Sequence, residues 1–139
     1  MIPVDAFQAG VRAALLADPV IAQHVDPSHV RVGTLRPAQL PAIIISPTRA
    51  NILGRAAGGQ IVAEVSLLIS AYASNTGDDD AAHTIGPSAF VALMEAPTMH
   101  GLSVDQWERP SIIMHDQAAA VGHARQDIIS VRAIIRWHD

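Results

Sequence analysis

At 139 residues and a formal charge of -4, the chain has the size of one domain and is long enough to bury a core without metals or cross-links. It is 50% hydrophobic and 16% charged, which excludes the disordered class, and it has no cysteine, which excludes disulfides, thiolate-bound zinc, iron–sulfur clusters and thiol catalysis. Net acidity, with nine arginines and no lysine, argues against a dedicated nucleic-acid binder, whose footprint is a basic stripe.

Only Phe7, Tyr72, Phe90, Trp107 and Trp137 are aromatic, so Ile, Val, Leu and Ala must fill the core, and their branched members favour pleated surfaces. No run approaches the roughly 18 apolar residues of a spanning helix, and no signal-like segment opens the chain. A soluble protein is expected.

In chain order, Val4, Phe7, Val11, Ala14 and Leu15 recur at helical spacing and predict an amphipathic helix from Val4 to Leu16, with Pro3 in its first turn. Asp18-Pro19 stops it and caps a short second helix through Ala22, followed by a turn from His24 to Ser28. His29 to Val32 and Ala42 to Ser46 predict two strands joined by a proline-punctuated link. Pro47 to Gly59, with three glycines, two arginines and little periodicity, predicts a long flexible surface loop.

Gln60 to Ala73 carries the clearest alternation: Ile61, Ala63, Val65, Leu67, Ile69 and Ala71 on one face, and the partly apolar Val62, Leu68 and Tyr72 on the other. Such a strand wants cover on both sides. Ser74 to Asp80 is read as a turn that delivers aspartates to the start of a helix, whose buried stripe is Ala82, Ile85, Ala89, Ala92 and Leu93. Gly86-Pro87 predicts a kink or break in that helix, because an internal proline costs about 3 kcal/mol. Leu102 to Met114, weakened by Pro110, and Gln126 to Trp137 predict the last two strands, joined by Asp116 to Ala124.

The expected architecture is one α+β domain over 1–139, its mainly antiparallel sheet packed on one side by two helices in the order α-β-β-β-α-β-β. The other side of the sheet is left for a neighbour.

The chemistry-bearing residues form no catalytic pattern. The seven histidines lack the close pairings of common metal sites; His115, Asp116 and His123 around one hairpin read as turn residues, and Asp78, Asp79 and Asp80 as helix caps. There is no nucleophile elbow, and Gly54 to Gly59 lacks the lysine of a phosphate-binding loop. No catalytic, cofactor-binding or metal residue is therefore assigned. Candidate subunit or partner contacts are Arg49, Ile52, Leu53 and Arg55 on the 47–59 loop, Leu68 on the long strand, and Arg132, Ile134 and Arg136 on the last strand. The loop is expected to be a mobile arm that orders on docking, with Ile52 and Leu53 as its apolar anchor.

The order of segments resembles the small tail-completion proteins, or tail terminators, of long-tailed bacteriophages, prophages and gene transfer agents. The segments that carry it are the Ala-rich opening helix ending Leu16-Ala17-Asp18-Pro19-Val20-Ile21-Ala22, Val30-Arg31-Val32, Leu40-Pro41-Ala42-Ile43-Ile44-Ile45-Ser46, Val65 to Ser74, an acidic turn, an alanine-containing helix, and the apolar strand ending at Trp137. The likeness spans almost the whole chain and rests on order rather than on any invariant motif.

The resemblance implies a homo-hexameric ring that ends tail-tube polymerisation and meets the head connector or stopper protein. DNA would pass through without sequence-specific binding, and no turnover, cofactor or membrane would be involved. Virion tail or neck, with the host cytoplasm during assembly, is the expected location. The alternatives are a head-side neck or stopper protein, and a ligand-binding or enzymatic α+β domain built from scattered His and Asp.

Overall fold

The computed structural model describes residues 3–33, 37, 39–74, 81–117 and 124–138. The helices are α1 (Pro3–Ala17), α2 (Pro19–His24) and α3 (Ala81–Ala92); the strands are β1 (Val30–Val32), β2 (Ala42–Ile45), β3 (Arg49–Arg55), β4 (Ile61–Ser74), β5 (Ser103–Gln117) and β6 (Ala124–Trp137). They form an α+β fold with one six-stranded sheet in the order β1-β2-β4-β6-β5, β3 pairing β4 off that path. Among the described strands, only the β1–β2 pair is parallel.

The helices lie on one face of the sheet, where alternation in the strands meets helical periodicity. Phe7, Val11 and Leu15 of α1, Ile21 of α2 and Ile85 and Ala89 of α3 pack on Ile43, Ile45, Leu67, Ile69, Ile129, Val131 and Ile135. Ile43, Ile69 and Ile129 are each 0% exposed, and burial on this scale contributes about 1.5–3 kcal/mol per large side chain. Phe7 meets Trp107 at 6.1 Å between ring centroids, and Trp107 Nε1 donates to the Leu93 carbonyl at 2.9 Å just past the end of α3.

Local signals act where the sequence places them. The Asp18 carboxylate accepts from the Val20 and Ile21 amides at 2.9 and 3.0 Å, capping α2. Arg12 on α1 donates through Nε to the Val30 carbonyl at 2.9 Å, which ties the opening helix to β1.

Two expectations fail. Residues 49–55, predicted as part of a loop, form a strand antiparallel to β4 from Arg49↔Ser66 to Arg55↔Ile61. The first half of β4 needs a partner, and β3 supplies it. All seven residues of β3 are exposed, so no burial selected an alternating pattern for the sequence to display. The glycines read as looseness are a bulge at Gly54, φ 150°, and a tight reversal at Gly58 and Gly59, φ 80° and 78°.

β2 and β3 run along the same side of β4, and the chain crosses from one to the other through Ser46-Pro47-Thr48. Ser46 holds that junction on β4: its amide donates to the Leu68 carbonyl, and the Leu68 amide donates to Ser46 Oγ, both at 2.8 Å.

The second concerns Gly86-Pro87, where the expected break does not form: α3 runs from Ala81 to Ala92 without interruption. Pro87 removes one backbone bond, yet Ile85, Ala89 and Leu93 are buried at 0–1% exposure, and that packing outweighs the local preference. Gly86 has a tertiary purpose. A Cβ there would lie 2.6 Å from Asp127 Cβ and Cγ, so only glycine lets α3 settle onto β6.

Pro110 also finds a tolerated place, at a register shift between Glu108 and Ser111 on the outer strand β5. The predicted aspartate turn at 75–80 and most of the 116–124 connection lie outside the described residues.

Candidate interaction surface

Among the described residues the helices cover one side of the sheet, so side chains of opposite parity form a second face. On β4 these are Val62, Glu64, Ser66, Leu68, Ser70 and Tyr72; on β6 they are Gln126, Ile128, Ser130, Arg132, Ile134 and Arg136. Register sets Ser66 beside Arg132 and Leu68 beside Ser130, and on β5 it sets Glu108 beside Arg132 and Ser111 beside Ser130. The centre of the face is thus built from small residues, and Ser46, Ser66, Ser111 and Ser130 line a concavity of about 590 Å³. Arg49, Leu68, Arg109 and Arg132 stand around it.

The charges on this face are ordered across strands. Arg132 Nε lies 3.9 Å from Glu64 and 3.8 Å from Glu108, and Arg136 Nη2 lies 3.1 Å from Asp105. The Arg132 side chain is 58% exposed, so each of its contacts is worth at most about 1 kcal/mol and leaves the carboxylates free to take further partners. Gln126 donates to the Tyr72 hydroxyl at 2.9 Å on the same face.

The residues predicted as contacts divide between this face and the edge beside it. Arg49, Leu68 and Arg132, far apart in sequence, meet around the concavity. Ile134 is half-buried in the adjacent depression with Glu64, Gln106 and Glu108, and Arg136 is engaged by Asp105. Ile52 and Leu53 are 72% and 57% exposed on β3, and Arg55 Nη1 donates to the Gly59 carbonyl at 3.1 Å. The arm of the sequence reading is therefore an edge strand paired to β4, and its arginines are held apart at the two ends of that strand.

Sequence reasoning missed Asp105, Glu108, Arg109 and the serines. Alternation along β5 would have placed Glu108 opposite Trp107 in facing, but the irregularities around Asp105 and Arg109-Pro110 hide the period.

A second polar cluster lies on the helix side. Asp127 is 1% exposed, Arg125 Nε binds it at 2.9 Å, and Arg125 Nη1 donates to His83 Nδ1 on α3. With Gly86 pressed on Asp127, this group clamps α3 to β6. Among the described residues, no three His, Asp or Glu side chains converge as a metal site would require, and no helix is long and apolar enough to cross a membrane.

No family model matches this chain, and no curated protein matches it. Its fold is similar to that of a chain in the virion of a native gene transfer agent (GTA) particle, with a TM-score of 0.69 and 20% identity over 98% of this chain and 99% of that one. The likeness runs end to end, and at this identity it establishes a shared fold.

Proposed function

We propose that the chain is a non-enzymatic, single-domain structural subunit of a phage-like particle, acting as a tail terminator that forms a ring on the finished tube and joins it to the head connector. The observation that carries this reading is the end-to-end likeness in fold to a chain of a gene transfer agent virion. A broad sheet covered on one face, with its other face carrying ordered charges around a concavity, is suited to contact with neighbours.

In this reading the subunit resides in the tail or neck of the particle after assembly in the host cytoplasm. Closed rings need two different complementary patches per subunit, and the hexamer implied by the sequence resemblance sets the ring number. DNA crosses the ring without base-specific contact, in keeping with the net charge of -4.

Electron microscopy of particles assembled without this protein tests the role. Overlong tubes, or tubes detached from heads, are expected. Tails of normal length with only the head-side joint missing would favour a neck or stopper protein, and normal particles would overturn the structural role.

A further inference from the structure

The geometry points to a specific contact between copies of this chain: the free edge of β3 on one protomer pairs with the outer edge of β5 on the next, continuing the sheet. The inference rests on the ring reading and adds to it which two edges meet and in which register. Among the described residues, β3 pairs only with β4 and β5 only with β6, so each presents one unpaired backbone edge. Such edges template strand addition.

Strand direction makes the match. β3, β4, β6 and β5 alternate in direction, since every successive pair is antiparallel. A second copy in the same orientation therefore presents its β5 antiparallel to β3. This is a head-to-tail contact that can repeat around a ring, unlike a self-complementary one that stops at a dimer.

Side chains agree with that placement row by row. Following the register across the sheet, Arg49 lies level with Ser66, Arg132 and Glu108, all on the bare face. Ile52 lies level with Ala63, Ile135 and Val104 on the helix face. A copy set alongside without stagger thus brings Arg49 beside its neighbour's Glu108, and the 72% exposed Ile52 beside its neighbour's half-buried Val104. The charges of the two facing segments are also opposite. β3 carries Arg49 and Arg55 and no acid, whereas Ser103–Glu108 carries Asp105 and Glu108 and no base.

Because the chain has no cysteine, a disulfide can report this contact directly. Within one protomer, positions 52 and 104 are three strand spacings apart, roughly 14 Å, too far for a disulfide, so any bond must join two copies. The double variant Ile52→Cys/Val104→Cys, oxidised at high concentration, should give a covalent ladder on a non-reducing gel that ends at the ring number. An equal mixture of the two single variants should stop at a one-to-one dimer.

A second arm uses charge. Arg49→Glu should weaken self-association measured by light scattering, and adding Glu108→Arg in the same chain should restore it. Dimers from Ile52→Cys alone would mean that β3 meets β3 and would overturn the proposal, as would absence of the ladder. If the unmodified protein forms a ring by scattering while the double variant gives no ladder, the edge contact falls and the ring reading stands. If tails made without the protein are normal, the ring reading falls whatever the gel shows.

Discussion

Gly86→Ala should destabilise the protein even though it replaces a poor helix former by the best one. On an exposed helix the change would gain about 1 kcal/mol. Here the added methyl would lie 2.6 Å from Asp127 Cβ and Cγ, and Cβ cannot move without shifting the backbone of β6, a strand held by β4 on one side and β5 on the other. Overpacking of this kind costs about 1–3 kcal/mol. Moving Asp127 also strains its 2.9 Å bond to Arg125, and breaking a buried pair outright costs about 3–5 kcal/mol.

Taking part of the second cost with the first, and subtracting the propensity gain, leaves a net loss of about 2–4 kcal/mol. At roughly 3 °C per kcal/mol for a chain of this length, Tm should fall by about 6–12 °C. Urea unfolding followed by circular dichroism measures the loss, and a cycle with Asp127→Gly assigns it. In that background the methyl meets no side chain at 127, so Gly86→Ala should be neutral to stabilising there, by up to the propensity gain of about 1 kcal/mol. An unchanged midpoint for Gly86→Ala, or the same penalty in both backgrounds, would refute the argument.

Asp18→Ala removes the cap that accepts two amides of α2 and should cost about 1 kcal/mol in urea unfolding; no change would mean that water replaces the cap. The Asp26 carboxyl lies below its ordinary value of 3.8 because the Ser28 hydroxyl and then the Ser28 amide donate to it. Its contribution to stability is therefore present above the ordinary carboxylate value and lost as pH falls through the lowered one; Ser28→Ala should move the Asp26 titration, followed by NMR, back toward 3.8, and an unmoved titration would rule out the hydroxyl as the main cause. Leu68→Asp, at a position 47% exposed on the bare face, should leave the circular dichroism spectrum intact while disrupting assembly on tails; normal assembly would remove this part of the face from the interface.

Much of the architecture was legible in the chain because burial selects for pattern. β4 alternates from Ala63 to Ala73 and β6 from Asp127 to Ile135 since every second residue enters the core, and α1 shows Phe7, Val11 and Leu15 at helical spacing for the same reason. Asp18-Pro19 announced the α2 cap because that chemistry is local. What the sequence determined is therefore the α+β class, the order of most elements and the existence of a second sheet face with mixed character.

The tertiary structure alone decided the rest. β3 is exposed on all seven residues, so nothing in its sequence had to alternate, and it is a strand only because the first half of β4 lies beside it. Gly86-Pro87 reads as a helix breaker until Asp127, forty-one positions later, is seen to occupy the space a Cβ would need. Arg49, Leu68, Glu108 and Arg132 gather around one concavity through pairings between distant strands. Periodicity records which side of an element is buried, whereas strand register, which fixes who stands beside whom, is set by contacts between segments that no local pattern encodes.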